Sequence, residues 1–541
     1  MPLFADAERR QTREANYSHS RLDWVFFAAL AIILFYKLPY WFLHPLSTSP
    51  DQAVYLEMAQ LILSGKTPYI DFFDFNPPLI MYLNVLPVLV ARLIHWPVPL
   101  AFNTLIQSLH LLSISFCTWL VFNQRAQFCI WQMAPLLIVA AVFTQMQISD
   151  VGQREHIFLI FYLPFLFWRF LLHFKEPAVK SPALFIGLTT GLALSLKPHF
   201  FLFALAGELG LYLVSRRIIF SKDIKVLLCV PLVYLFLLLL LPAAAKSVFL
   251  EEALPLYTYG LGWNAKSFMH MLTGFPYFAE PFWQMLAALF LAPILLGLRE
   301  DLRRFAPALI LLVLMGVVHY IAGGQAWTYR LMPMALFSQM LLALESGSCL
   351  FLLKEKLPTN YLAPIKLALA GLLLAGCLAF SVFRLVSFYG EYEGSPRYAL
   401  AELGYSGDNP RFDFDSLFFS VMANSRADEA ILTIGSGIRP GFPAQLQSQR
   451  AVGSRYLYSC LAMFPSAMEA RPELFDKFRA LEEKMVTTLG QDILQNKPRL
   501  VFVQVFPIEE MLEKYQFKGR YLADYSEGGY VEGRKMFKRK D

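Results

Sequence analysis

The chain has 541 residues, of which 57% are apolar and 16% charged, with a mean hydropathy of +0.47. Soluble domains average roughly 45–50% apolar and about 25% charged residues, so the composition excludes a string of soluble domains, a disordered chain and a collagen-like repeat. The net charge of +6 records basic loop residues and carries no nucleic-acid signal; the lipid bilayer is the expected partner.

Taken in chain order, the first twenty residues are polar, with Arg9, Arg10 and Arg13, and the first apolar run opens at Trp24. No cleavable signal peptide is visible, and a retained anchor is expected. Runs able to cross a bilayer, or nearly so, fall at 24–43, 100–122, 131–148, 156–173, 183–197, 199–214, 226–242, 283–298, 305–322, 332–352 and 363–386. A further run, 79–95, is ambiguous. The clusters Arg9/Arg10/Arg13/Arg21, Arg125, Lys175/Lys180, Arg216/Arg217/Lys222/Lys225, Arg299/Arg303/Arg304 and Lys354/Lys356 share one face only if 79–95 does not cross.

The expected fold is therefore an all-α polytopic membrane protein of about 11 crossings, with a small C-terminal α/β extracytoplasmic domain. Residues 1–23 form a cytoplasmic tail, 24–386 the transmembrane part and 387–541 the external domain. Within the transmembrane part, 44–99 is a first external loop carrying juxtamembrane helices; 149–155, 243–282 and 323–331 are further external loops. In the C-terminal part, "EAILTIG" (429–435) and "RLVFVQVF" (499–506) read as strands, "ELFDKFRALEEKMVTTLGQDILQ" between them as a helix, and the segment after Gly519 as a hairpin. Five of the six cysteines (Cys117, Cys129, Cys229, Cys349, Cys377) lie in or beside apolar runs and Cys460 stands alone, so no disulfide framework or CxxC site is available.

Polar chemistry gathers on the outer face. In "LSTSPDQAVYLEMAQLILSGKTPYIDFFDFNPPLIMYL", Ser49 can cap a helix with Pro50 and Asp51 in its first turn and Val54, Tyr55, Met58, Leu61 and Ile62 as an apolar stripe. Such a helix lies in the interface plane. Asp51 either faces a cleft there or only complements the helix dipole. Asp71 and Asp74, before Asn76-Pro77-Pro78, present carboxylates from a stiff loop to a cation or to sugar hydroxyls; the bland reading is a solvated turn, more so for Asp71 than for Asp74 between its two phenylalanines.

A second cluster, "SDVGQREHIF", heads a crossing with Arg154, Glu155 and His156. Arg154 suits bidentate phosphate binding. Asp74, Glu155 and His156 offer oxygen and nitrogen donors to a divalent metal (Mg, Mn or Zn), although no segment has metal-ligand spacing by itself. Lys197, before Pro198-His199, and Arg330, in "GGQAWTYRLMP", stand at outer helix ends, where such residues either snorkel or meet an anionic head group.

These segments resemble those of the integral-membrane GT-C glycosyltransferases, in particular the glycosyltransferase family 39 group that includes protein O-mannosyltransferases and the bacterial lipid A aminoarabinose transferase. The likeness rests on the Asp51 loop, on "QREHIF", on "LKPHFFLFALAGEL" and on "GGQAWTYRLMPMAL", spread over roughly the first 340 residues. It implies that Asp51 is the catalytic aspartate acting on the acceptor hydroxyl, that Asp74 is the acid before the diproline and that Glu155 is the second acidic position. By the same likeness Lys197 and Arg330 lie near the phosphate of a polyprenyl-phosphate sugar, where Arg154 is a further candidate by its residue type. Asn76 stands where the family often has Lys or His. The implied activity is inverting transfer of a sugar to a lipid, polysaccharide or protein acceptor at the periplasmic face of a bacterial inner membrane. The alternative is a transporter or flippase of lipid-linked glycans, which needs ion-coupling groups at mid-membrane; Glu208 is the clearest acid within an apolar run.

Overall fold

The computed structural model describes residues 48–123, 130–145, 150–174, 182–260, 265–273, 276–296, 304–354, 399–405 and 415–540, with single positions elsewhere. The runs 24–43 and 363–386, the tail 1–23 and much of 387–414 lie outside the described residues.

The segment expected as the first external loop opens with α1 (Pro50–Leu63), followed by α2 (Leu79–Leu83) and α3 (Val85–Ile94). Proline at the first helical position fixes the entry to α1, and Gly65 at φ +85° ends it. The run 79–95 is helical but broken at Asn84, whose side chain turns back to donate to the Ile80 carbonyl at 2.8 Å.

Every apolar run between 100 and 352 carries a helix: α4 (Val98–Asn123), α5 (Ile130–Gln145), α6 (Arg154–Phe174), α7 (Ala183–Ser195), α8 (Phe201–Ser215), α9 (Lys222–Leu239), then α13 (Pro276–Leu296), α14 (Ala306–Ala322) and α15 (Met332–Lys354). Among the described residues three stretches, Val98–Val121, Arg154–Phe174 and Pro198–Ser215, are long and apolar enough to cross a membrane by themselves. Lys222–Leu239 and Ala243–Gly260 together make a fourth if their 115° bend is counted within one span.

Small residues let these helices approach. A Cβ on Gly187 or Gly191 would lie 2.6–2.8 Å from the Asp223 and Leu227 carbonyls, so this Gly-x-x-x-Gly face seats α7 directly on α9. On α14, Gly316 meets the Met334 backbone of α15 in the same way.

The expected external loop 243–282 is helical: α10 (Ala243–Ser247), a π-helical turn (Val248–Ala253), α11 (Leu254–Gly260) and α12 (Phe268–Thr273). Its alanine-rich start is compatible with helix, and Pro255 falls in the first turn of α11, where proline is tolerated, a signal weaker than its position between two crossings. α11 packs on the C-terminal domain.

That domain comprises α16 (Asp415–Asn424), β1 (Ala430–Ile434), α17 (Gly441–Ser448), β2 (Ala451–Val452), α18 (Met463–Ala470), α19 (Phe475–Asn496), β3 (Leu500–Gln504), α20 (Glu510–Glu513), α21 (Phe517–Tyr521), β4 (Tyr525–Val531) and β5 (Arg534–Arg539). Both predicted strands, the helix and the closing hairpin are present. The sheet runs β2-β1-β3-β5-β4, parallel across the first three strands and antiparallel across β3/β5 and β5/β4. Alternation splits its faces: Ile431, Leu500 and Phe502 pack under α16, while Leu432, Ile434, Val501 and Val503 join a hydrophobic core continuous with the membrane helices.

Candidate active site

Asp51 occupies the first turn of α1, as the sequence predicts. Ser49 is at the N-cap position in extended conformation, but its hydroxyl makes no cap bond. It accepts instead from Gln153 Nε2 at 3.2 Å, and the same amide nitrogen donates to Asp51 Oδ2 at 2.9 Å. Gln153, in the turn before α6, thus ties the catalytic candidate to the second polar cluster.

The two acids of the first loop separate. Asp71 is exposed and caps a turn, accepting from the Thr67 backbone N–H at 2.7 Å. Asp74 is 1% exposed. Its Oδ1 accepts from both the backbone N–H and the side-chain Nδ2 of Asn76, and its Oδ2 from the Tyr458 hydroxyl at 2.8 Å. Burial pushes the Asp74 carboxyl up to about 6, against these hydrogen bonds and the nearby Arg154 charge, which pull it down.

The turn before α6 contains Gly152 at φ +71°, where a Cβ would strike the Phe102 ring at 2.3 Å, so glycine is required on both counts. Its N–H donates to His156 Nδ1 at 3.0 Å. Arg154, Glu155 and His156 are all buried. Arg154 Nη1 donates to Asn76 Oδ1 at 2.7 Å and the guanidinium stands 6.0 Å from the Tyr55 ring. Proline after Lys197 forces that residue into extended conformation at the break between α7 and the 3-10 turn Pro198–Phe200. There its Nζ meets Glu155 Oε1 at 2.5 Å, with His319 Nε2 3.5 Å from the same oxygen.

Arg330 lies on a 3-10 turn (Thr328–Leu331) before α15, donating to Gln325 Oε1 at 2.7 Å and covering the Trp327 ring at 4.8 Å. Its Nε and Nη1, together with Arg154 Nε and Glu155 Oε2, are buried without a hydrogen-bond partner among the described residues. The charges of Arg154 and Arg330 both act on Lys197, so the three cations share one neighbourhood.

The structure brings Arg154, Glu155, Lys197 and Arg330 together, with Asp51 alongside through Gln153 and Tyr329, whose ring lies 5.4 Å from Lys197 Nζ and feels the charges of Asp51 and Glu155. Asp74, Glu155 and His156 do not form a ligand set. Asp74 is enclosed by Asn76 and Tyr458, Glu155 pairs with Lys197, His156 Nδ1 accepts from Gly152, and no group of three His, Cys, Asp or Glu among the described residues could hold a metal ion.

Sequence reasoning missed five participants. Gln153 and Tyr329 sit inside quoted segments but are uncharged. Asp150, also quoted, is half-buried, accepts from Thr328 Oγ1 at 2.7 Å, and is pushed up to about 6 by loss of water against that bond. Arg439 and Tyr458 come from the C-terminal domain. Burial holds the Arg439 guanidinium below its ordinary range, while the charges of Asp150 and Asp51 oppose this.

A second ionic cluster lies toward the other end of α6. Arg169 holds Glu208 with two prongs, Nε at 2.5 Å and Nη2 at 2.7 Å, and also donates to Ser221, Asp223 and the Ile219 carbonyl. His173 Nε2 stands 3.1 Å from the same Glu208. Glu208 is thus engaged by a cation and an imidazole that fasten α6, α8 and the start of α9.

No protein-family profile and no curated protein matches the chain. Among solved structures it is similar to ArnT from Cupriavidus metallidurans, crystallised bound to undecaprenyl phosphate, with 12% identity over 96% of this chain and 98% of that chain and a TM-score of 0.49.

Proposed function

We propose that the chain is a GT-C-type membrane glycosyltransferase that moves a sugar from a polyprenyl-phosphate donor to an acceptor at the outer face of a bacterial inner membrane. The observation that carries this reading is the buried group of Arg154, Lys197 and Arg330, with Glu155 paired to Lys197 and with N–H donors on Arg154 and Arg330 that have no partner among the described residues. Buried donors left unmade each cost about 1–3 kcal/mol, and an anionic phosphate is a ligand that would satisfy them. Asp51 stands beside this group at a helix start, held by Gln153.

In this reading the acceptor oxygen attacks the anomeric carbon as the bond from that carbon to the phosphate oxygen breaks, inverting the centre. Asp51 orients the acceptor hydroxyl and takes its proton late. Arg154, Lys197 and Arg330 offset the charge on the departing polyprenyl phosphate. The polyprenyl tail stays in the bilayer while its head reaches the outer loops. A divalent ion is given no step, because the candidate donors are not arranged as a ligand set.

Transport of lipid-linked glycans would draw on Glu208, and its engagement by Arg169 and His173 supports a structural clamp in place of a coupling site.

The test is transfer from radiolabelled polyprenyl-phosphate sugars in membranes carrying the wild-type chain or Asp51→Asn at matched expression. A product dependent on the wild-type chain and lost on this change supports the reading. Equal product from both removes the role given to Asp51.

A further inference from the structure

Asp74 and Arg154 belong to different segments, and a third segment, nearly four hundred residues along the chain, is joined to both. The Tyr458 hydroxyl donates to Asp74 Oδ2 at 2.8 Å; Asn76 Nδ2 donates to Asp74 Oδ1 at 2.9 Å; Arg154 Nη1 donates to Asn76 Oδ1 at 2.7 Å. We infer that the C-terminal domain sets the position of the donor-facing cation: Tyr458 is a positioning residue that acts through Asp74 and Asn76 on Arg154. The inference rests on the proposed role of Arg154 toward the donor phosphate.

Each link has a defined direction. A carboxylate only accepts, so Asp74 draws the Nδ2 end of the Asn76 amide toward itself, and the Oδ1 end is left to receive Arg154. A lysine in place of Asn76 could donate to Asp74 but could not accept from Arg154. The Asn76 backbone is fixed as well: its N–H is taken by Asp74, and its carbonyl accepts from the Tyr69 hydroxyl. Tyr458, Asp74 and Arg154 are 6%, 1% and 8% exposed, so water does not readily substitute for a lost link. Arg154 Nε has no partner among the described residues, which makes the bond to Asn76 the guanidinium's chief directional restraint.

A docking role alone does not require this hydroxyl. The domain is also held by the bond from the Phe73 N–H to the Arg455 carbonyl at 2.9 Å, by the ring contacts Phe73/Tyr456 and Phe75/Tyr458, by Arg471 Nη1 donating to the Tyr259 hydroxyl and by Lys484 on Glu252. Tyr458→Phe keeps the ring against Phe75 and removes only the link to Asp74.

The experiment uses the full chain in lipid nanodiscs as wild type, Tyr458→Phe, Arg154→Gln and the double variant, with undecaprenyl phosphate as the probe and thermal unfolding measured on the same four samples. The expected result is that Tyr458→Phe weakens binding about 5- to 10-fold, that Arg154→Gln weakens it more, and that the double variant binds as Arg154→Gln does. Equal binding by wild type and Tyr458→Phe, or losses that multiply in the double variant, overturns the proposal. If the wild type does not bind the probe, the donor reading fails and the unfolding data judge the relay by themselves: non-additive shifts in Tm uphold it, additive shifts overturn it.

Discussion

Lys197 Nζ and Glu155 Oε1 meet at 2.5 Å with both side chains out of water, while Glu155 Oε2 has no partner among the described residues. Removing one member of a buried pair leaves an uncompensated charge, at a cost of about 3–5 kcal/mol. Lys197→Met is expected to fall near the low end, about 3 kcal/mol, because Arg154 and His319 also face Glu155. Lys197→Met with Glu155→Gln should recover most of the loss in thermal unfolding without recovering donor binding. A double variant as unstable as Lys197→Met alone would show that the pair is not the source of the cost.

Gln153 donates to both Ser49 and Asp51, and so fixes the carboxylate relative to the cations at the head of α6. Gln153→Ala should lower kcat about tenfold, the cost of misplacing a positioned group by a fraction of an ångström, with a smaller change in the KM for donor. An unchanged kcat would show that α1 alone orients Asp51.

A Cβ at Gly323 would lie 1.7 Å from Arg330 Nη1. The backbone there is helical, at φ −64°, so alanine brings no strain of its own and the flexible guanidinium must move. Gly323→Ala is expected to raise the KM for donor about tenfold, as does loss of a charge-assisted hydrogen bond, and to add nothing to Arg330→Gln. Measured donor affinities for the two single variants and the double variant decide this.

Burial raises the Asp74 carboxyl to about 6 from an ordinary 3.8. The folded chain therefore holds this proton more tightly than the unfolded chain. The stability it contributes is fully present below about pH 4 and is lost as pH rises through about 6. Asp150, also raised to about 6, acts with the same sign. Asp74→Asn should flatten the fall in Tm between pH 4.5 and 7, a contribution on the order of 1–3 kcal/mol. A variant whose Tm keeps the wild-type slope would contradict the assignment.

Gly191 sits 2.8 Å from the Leu227 carbonyl at the α7/α9 contact. Gly191→Leu should destabilise by more than the 1–3 kcal/mol typical of core overpacking, because backbone and not side chain must give way.

What the sequence disclosed follows from the range of the interactions involved. α1, β1, β3, α19 and the β4/β5 hairpin declare themselves within about twenty residues, through a proline, an alternation or a helical period. Asp74 was separable from Asp71 by its phenylalanine neighbours, and its burial agrees. Lys197 and Arg330 were visible as cations at helix ends. Tyr458 and Arg439 were not legible, because their partners lie in distant segments and neither residue stands in a distinctive local pattern. Gln153 was passed over because a neutral amide beside Arg154 and Glu155 draws no attention until its donor is seen between Ser49 and Asp51. The helices of 243–282 were hidden by the expectation that a segment between crossings is loop.

The bond between Tyr458 and Asp74 joins residues 384 positions apart. A ribosome adding about 5–20 residues per second needs roughly 20–80 s to travel that far. Throughout that time the Asp74 loop waits with its carboxylate uncovered. The site is therefore incomplete until Tyr458 has been made, and a chain released before that point would carry Asp51 and all three cations yet lack the piece that orders them.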